Sequence, residues 1–313
     1  MRHRRRTMPT CSSGFVGMNK AAVADMPALN SVVDGISGWP EPVRAAISRR
    51  FPLGTRVDAS PETMNSAKPA FANGFNLGTH VGDVFDRVSR HRLLYAAAIG
   101  STPLWLNQVH KKNVLNLDHL TDQAPTQVGV AVPSAEDLKR VTADACFTTR
   151  PGRACTIMFA DCLPVLIAHS SGKIVGAAHA GWRGLAEGVL GALLEAMTRE
   201  CPSGSVGNRW LAWLGPCIGP DHFEVGPEVV EAMVSAGLPA RATPGRGDRV
   251  YVNLQALALD ALHQAATRLG SGVVVLGRDP RCTFSDAEGC FSHRRDGQSG
   301  RMAASIWLSD KAK

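Results

Sequence analysis

The chain has 313 residues, 44% of them hydrophobic and 19% charged, with a formal net charge of +7. That is long enough for one large domain with a sizeable core, and the balance is that of an ordinary globular protein. No apolar run reaches the ~18 residues of a membrane span, so no membrane partner is expected.

Four of the positive charges are Arg2, Arg4, Arg5 and Arg6, which leaves a mildly basic body. No zinc-finger spacing, RNP-type aromatic string or basic helical stripe accompanies them, so no nucleic acid is expected as a partner. Residues 1–36 read as a disordered basic extension, followed by a single domain over 37–313. Lys20 and Asp25 interrupt the stretch where a secretory signal would carry its apolar core. With no export signal, the eight cysteines read as reduced thiols, and the location as cytoplasmic.

Organised structure is expected from about Trp39-Pro40. Val43 to Ser48 reads as a first strand. Residues 50–70 are rich in Pro, Ser, Thr and Ala, as a loop is. Gly74 to Asp83 reads as a tight turn region, and Asp83 can cap a helix over Val84 to Ile99 that buries Val88, Leu94 and Tyr95. Pro103 to Val109 reads as the next strand, and 121–137 as another loop. Strand-like runs follow at Ala143 to Thr149, Ala154 to Phe159, Leu163 to Ala168 and Lys173 to His179. Gly181-Trp182-Arg183-Gly184 reads as a turn before a helix with apolar Leu185, Val189, Leu193 and Met197. Trp210 to Leu214 is a strand, Pro227 to Ala236 and Leu254 to Leu269 are helices, and Val273 to Leu276 and Ala303 to Leu308 are late strands. Strands outnumber helices without alternating regularly. The fold class expected is therefore α+β, a mixed-sheet sandwich with flanking helices.

Three segments set soft or borderline ligands at strand ends. They are Asn107-Gln108-Val109-His110, Ala160-Asp161-Cys162-Leu163-Pro164 and His179-Ala180-Gly181-Trp182-Arg183-Gly184. Two imidazoles and a thiolate suit Zn²⁺, and three protein ligands leave a fourth position for water or substrate. Cys162 and His179 read equally as a thiol nucleophile with its base. The ten histidines include no His-x-His pair, which speaks against a multicopper cluster. Arg183, on its glycine-flanked turn, can bind phosphate or a ribose hydroxyl. The rigid turn Gly215 to Pro220, followed by Phe223-Glu224, can hold a ring by stacking. A further run, Cys282 to Arg301, is dense in Arg, Ser and Gly.

Taken in order, these strings resemble the laccase-domain family, also called multicopper polyphenol oxidases and now regarded as bacterial purine nucleoside phosphorylases. The matching strings are Phe75-Asn76-Leu77-Gly78-Thr79-His80-Val81-Gly82-Asp83, the three ligand segments, Gly215-Pro216-Cys217-Ile218-Gly219 with Phe223-Glu224-Val225-Gly226, and Ser292-His293-Arg294-Arg295-Asp296-Gly297. They span about residues 39 to 308. The resemblance implies a compact α+β sandwich and a zinc site on His110, Cys162 and His179. It implies purine nucleosides and phosphate as partners: phosphorolysis of adenosine, inosine, guanosine and methylthioadenosine, and hydrolytic deamination of adenosine. Copper and phenol oxidation are older attributions in the family, and related domains have been linked to peptidoglycan editing. On this reading Asp161 and Arg183 serve the chemistry, while Arg49, Asn76, Gln108, Phe223 and Arg294 serve substrate binding. His293 stands where Tyr is common in the family and Cys290 where Phe is common.

Overall fold

The computed structural model describes residues 31–51, 74–120, 141–201 and 209–310. The expected extension up to residue 30, most of the 50–70 loop and the 121–137 loop lie outside these residues.

Two sheets carry the fold. The first has five strands in the order β1-β2-β14-β6-β3. These are β1 (Val33–Ile36), β2 (Val43–Ser48), β14 (Met302–Leu308), β6 (Arg153–Phe159) and β3 (Thr102–Trp105). The second has six strands in the order β13-β9-β7-β8-β5-β4. These are β13 (Gly272–Arg278), β9 (Arg209–Leu214), β7 (Leu163–His169), β8 (Val175–Ala180), β5 (Ala145–Thr148) and β4 (Val114–Asn116). Both sheets mix parallel and antiparallel pairs, β3 lying parallel to β6 and β13 parallel to β9. A small third sheet joins β10 (Glu224–Val225), β12 (Val250–Val252) and β11 (Ala242–Pro244).

Strand alternation explains the layering. Successive side chains point to opposite faces of a sheet. In β6, Cys155, Ile157 and Phe159 enter the core between the two large sheets, where they meet Leu166 and Ala168 of β7, Val175 and Ala177 of β8, and Ala304 and Ile306 of β14. The intervening Ala154 and Met158 join Ala303 and Trp307 in a second core. That core is covered by α1 (Phe85–Ile99), whose Leu94, Tyr95 and Ile99 pack there. On the far side Leu163, Val165 and Ile167 of β7 pack with Ala178 and Ala180 of β8. Helices α3 (Val189–Glu200) and α5 (Leu254–Arg268) cover that face with Leu190, Leu193, Met197, Leu257 and Leu262. The chain is thus a single α+β domain of two face-packed sheets with helices outside, as the sequence predicted.

Several boundaries differ from the sequence reading, each for a physical reason. Ordered structure starts before Trp39, because β1 pairs antiparallel with β2. The strand expected to reach Val109 stops at Trp105. Beyond it the segment bridges the two sheets: Gln108 clasps the Met158 backbone of β6, and Asn107 pairs with Thr142 ahead of β5. The Gly181 to Gly184 stretch is not a turn but the start of α2 (Trp182–Glu187). Gly188 then adopts a left-handed φ of 88° and separates α2 from α3. Helix α4 (Pro227–Ser235) begins with proline at its first turn, where the missing N–H costs nothing. Asp83, the expected cap, lies one residue ahead of the observed one, Val84, because α1 starts at Phe85. Its carboxylate accepts from Val84 N at 2.6 Å and from Asn76 Nδ2 at 2.9 Å, and pairs with Arg87.

One hydrogen-bonded chain lies within the apolar layers. Tyr95 Oη donates to Ser305 Oγ at 2.8 Å, and Ser305 pairs with Thr156 at 2.7 Å. Replacing Tyr95 by Phe leaves those two hydroxyls paired and should cost only about 0.5–1.5 kcal/mol. Ile157→Ala opens a cavity between two sheets that cannot collapse, and should cost about 2–5 kcal/mol. Urea denaturation of both variants checks this order; an Ile157→Ala cost below that of Tyr95→Phe would overturn the layering argument.

Candidate metal centre and cavity

The site begins with a buried carboxylate. Asp144 stands just ahead of β5 and is fully enclosed. Its main chain is fixed by Asp144 N to Asn113 O at 3.1 Å and by His179 N to Asp144 O at 2.7 Å. Its carboxylate accepts three successive backbone N–H groups: Val109 at 3.1 Å, His110 at 2.9 Å and Lys111 at 2.8 Å. It also accepts His179 Nδ1 at 2.8 Å. Burial alone would push the Asp144 carboxyl up, but hydrogen bonds from His179 and the Lys111 amide, with the nearby imidazole charge, bring it below its ordinary value.

These bonds place two ligands. His110 has a φ of 62°, a left-handed conformation that costs a non-glycine residue of order 1–3 kcal/mol. The three amides gathered on Asp144 hold it there. His179 gives its Nδ1 proton to the carboxylate, so Nε2 faces the site as a free donor atom. Cys162 arrives at the crossover from β6 to β7, next to Asp161, whose φ is 88°. The ligand atoms of His110, Cys162 and His179 all lie within 4.8 Å of one another, and Cys162 Sγ is 3.8 Å from His110 Nε2.

A tetrahedral zinc ion with bonds of ~2.0–2.3 Å sets its donors roughly 3.3–3.6 Å apart. The three side chains therefore need only a slight inward closing, and one imidazole already has the carboxylate partner that ligating histidines carry. The donor set fits a metal. Gly181 makes the approach possible: a Cβ there would stand 2.8 Å from Cys162 Sγ. Burial would raise the Cys162 thiol, but the His179 charge and hydrogen bonds from both imidazoles draw it down to about 6. His179, which burial alone would lower, is raised to about 9 by the Cys162 charge and by Asp144.

The triad opens into a cavity of about 590 Å³, within the usual range for a small-molecule site. Its walls include Leu106, Met158, Trp182, Ile218 and Phe223, and the cations Arg183, Arg294 and Arg301. Arg183 stacks on Trp182, its guanidinium carbon 4.3 Å from the ring centroid. Arg294 lies 5.5 Å from the Phe223 centroid and donates to Glu224 O at 2.9 Å.

Sequence-predicted residues divide in three. Phe223, Arg183 and Arg294 line the cavity alongside the triad. Gln108 also lines it, but both ends of its amide are bound to the Met158 backbone at 2.8 Å. Asp161 lines it too, with both carboxylate oxygens occupied: Thr283 Oγ1 donates at 2.6 Å and Arg294 N at 2.7 Å. Asn76 and Arg49 are not cavity residues. Asn76 is fully buried, and its Oδ1 accepts from Gly78 N and Arg301 N. Arg49 is spent in an ion pair with Asp34 of the neighbouring strand.

Sequence reasoning missed Asp144 and His80, and took Arg301 only as one of several arginines. A lone carboxylate heading an apolar run, as in Thr142-Ala143-Asp144-Ala145-Cys146, is a usable signal, because a buried charge must find donors.

With this geometry in place, comparison with known proteins is decisive at the level of family. The family model described as multi-copper polyphenol oxidoreductase laccase matches residues 63–309, and the chain belongs to that family. A purine nucleoside phosphorylase of Pseudomonas aeruginosa is 38% identical over 276 residues, covering 86% of this chain and all of that protein. The purine nucleoside phosphorylase YfiH of Escherichia coli is 39% identical over 260 residues, covering 82% of this chain and 95% of that protein. Among solved structures, the Neisseria meningitidis protein NMB0706 superposes with a TM-score of 0.67 at 33% identity, covering 88% of this chain and 99% of that one. Bacillus licheniformis YfiH, at 22% identity and a TM-score of 0.70, shares the fold.

Two measurements probe the centre. Asp144→Asn removes the charge that holds both the His110 backbone and His179. Zinc affinity, measured by competition with a chromogenic chelator, should fall roughly 10- to 100-fold; an unchanged affinity would dismiss Asp144 as an organiser. In metal-free protein, alkylation of Cys162 by iodoacetamide should climb with pH around a midpoint of about 6, since the thiolate is the nucleophile and an ordinary thiol titrates near ~8.5. A midpoint at the ordinary value would contradict the arrangement of the two imidazoles.

Proposed function

We propose that the chain is a zinc-dependent purine nucleoside phosphorylase that also deaminates adenosine. The observation that carries this reading is a His–Cys–His centre opening into a cationic, partly aromatic cavity, in a chain similar over most of its length to purine nucleoside phosphorylases. Zinc is favoured over copper by the donor set, two imidazoles and one thiolate. Among the described residues a single group of potential ligands converges, not the many imidazoles of a multicopper cluster.

His110, Cys162 and His179 would hold the metal. Bound there, it supplies Lewis-acid polarisation and a water of lowered pKa. The protein's own groups do the rest. Phe223 and Trp182 offer flat surfaces for a purine ring, and Arg294, seated over Phe223, covers that side. In phosphorolysis a phosphate oxygen forms a bond to C1′ of the ribose and the C1′–N9 bond breaks. The electron pair leaves with the purine, which takes up a proton. Guanidinium groups of the wall neutralise the incoming phosphate. Asp161, bonded to Thr283 Oγ1 and Arg294 N, keeps Cys162 and the Arg294 backbone in register. In deamination water adds at C6 of adenosine and ammonia departs, giving inosine. Adenosine, inosine, guanosine and methylthioadenosine are the substrates expected.

A second reading has an observation of its own: Cys162 drawn down to about 6 beside His179 raised to about 9 resembles a thiolate–imidazolium pair. One experiment separates the two. Purified protein with inosine and phosphate should give hypoxanthine and ribose 1-phosphate, and adenosine should give adenine and inosine. Cys162→Ala and metal stripping should each lower the rate at least ~100-fold, with readdition of zinc restoring only the stripped protein. Turnover that survives stripping yet still needs Cys162 would establish the thiol reading instead.

A further inference from the structure

The cavity holds a second polar feature besides the metal centre. Arg301 closes its wall just ahead of β14, and its guanidinium is fixed at one end only: Nη1 donates to Ser299 O at 2.8 Å and Gly300 O at 3.0 Å. Among the described residues, Nη2 and Nε have no hydrogen-bond partner and Arg301 has no carboxylate ion pair. They are not sealed from solvent either, and Arg301 is one of the residues that line the cavity.

The mounting of this arginine is elaborate. Asn76 Oδ1 accepts Arg301 N at 2.8 Å and Gly78 N at 2.9 Å, and Leu77 N donates to Arg301 O at 3.0 Å. Gln298 Nε2 ties the same stretch to Val81 O at 2.8 Å. Gly78 is required by contact, since a Cβ there would stand 2.8 Å from Arg301 Cγ. Two loops far apart in sequence are laced together, and the lacing orients one guanidinium.

His80 lines the same wall and has no hydrogen-bond partner among the described residues. His80 is itself exposed at the cavity rim; partial desolvation against the wall, then the charges of Arg301 and Arg92, lower its imidazole, which is neutral at physiological pH and can donate one N–H. Arg92 lies behind, stacked on Trp105 at 4.3 Å and bonded to Leu77 O at 2.9 Å. It too has no carboxylate partner among the described residues. The negative groups that act on Arg301 are Cys162 and Asp161; the first is a candidate metal ligand, and each oxygen of the second already accepts a donor, Thr283 Oγ1 or Arg294 N. Preorganised, partly desolvated donors with no anion of their own form an oxyanion seat.

We propose that Arg301, with His80 beside it, is the phosphate seat of this cavity, in place of the more exposed Arg183 or the already engaged Arg294. This rests on the phosphorylase reading. Asn76 then matters to phosphate indirectly, as a positioning residue for Arg301.

The test is two-substrate kinetics with inosine and inorganic phosphate, joined to calorimetric titration of phosphate into the zinc-loaded protein. Arg301→Met keeps the aliphatic stem that packs on Gly78 and removes the charge. It should raise the phosphate KM about 10- to 100-fold, the weight of a charge-assisted hydrogen-bonded contact, and change the inosine KM by less than ~3-fold. His80→Gln should shift the phosphate KM in the same direction by a smaller factor, and guards against a folding defect peculiar to Arg301→Met. Arg183→Ala should act mainly on the inosine KM. Phosphorolysis with an unchanged phosphate KM in both the Arg301 and His80 variants, and a raised one in Arg183→Ala, overturns the assignment. Arg301-dependent phosphate binding without turnover of any nucleoside upholds the seat and sinks the phosphorylase reading alone.

Discussion

The structure depends on one buried carboxylate. Asp144 lies in a low-dielectric layer where an unpaired charge is costly, and four donors from two parts of the chain converge on it. Three consecutive amides around an anion form a concavity that the backbone adopts only by bending through unusual dihedrals. His110 supplies that bend. The same carboxylate fixes which nitrogen of His179 carries its proton. A single side chain thereby sets the backbone of one ligand and the tautomer of another, and the β5–β8 ladder holds it rigidly while it does so.

Two of the three ligands come from places where the chain leaves one sheet for the other, while His179 lies within β8. His110 sits between β3 of the five-stranded sheet and β4 of the six-stranded sheet, and Cys162 between β6 and β7 of the same two sheets. Such crossovers cannot be regular strand, so they can carry left-handed residues, as His110 and Asp161 are. The apolar layer between the sheets then becomes the gauge of the site. Its packing fixes the spacing of the crossovers and hence the 3.8 Å from Cys162 Sγ to His110 Nε2. Gly181 belongs to the same logic: the backbone after β8 passes so close to the thiol that no side chain fits.

Local patterning made much of this legible. Alternation in Ala154 to Phe159 and in Leu163 to Ala168, and helical spacing in Leu185 to Met197 and Leu254 to Leu269, are short-range signals, and the elements lie where they point. The three metal-ligating candidates were legible as residue types at strand ends, although their convergence is a product of the tertiary fold. What resisted reading were side chains that serve the backbone at long range. Asn76 and Gln108 look like substrate contacts, and Asp161 like a residue of the chemistry, because they are polar residues in cleft-like strings. Each instead satisfies main-chain groups elsewhere, Gln108 on Met158 fifty residues later. The strand expected to run to Val109 fails for the same reason, since Asn107 and Gln108 draw the chain off the sheet edge. Arg49 misleads because its partner, Asp34, lies in the stretch read as extension. Asp144 offered only the signal of a lone carboxylate heading an apolar run, which marks a need for donors but not the four that arrive from elsewhere.

The electrostatics of the cavity follow from how these bonds are spent. Asp144 and Asp161, the carboxylates that organise the site, have their oxygens consumed by protein donors. The cations are consumed less fully. Arg183 is engaged only by stacking among the described residues, and Arg301 is bonded through one nitrogen. What remains to be satisfied in the cavity is therefore donor capacity and positive charge, framed by aromatic and aliphatic surface. A ligand that completes such a cavity must be rich in acceptors and carry negative charge at one end, with a flat apolar part at the other. A purine nucleoside together with phosphate has that distribution. A neutral phenol supplies the flat part and leaves the guanidinium edges unmet.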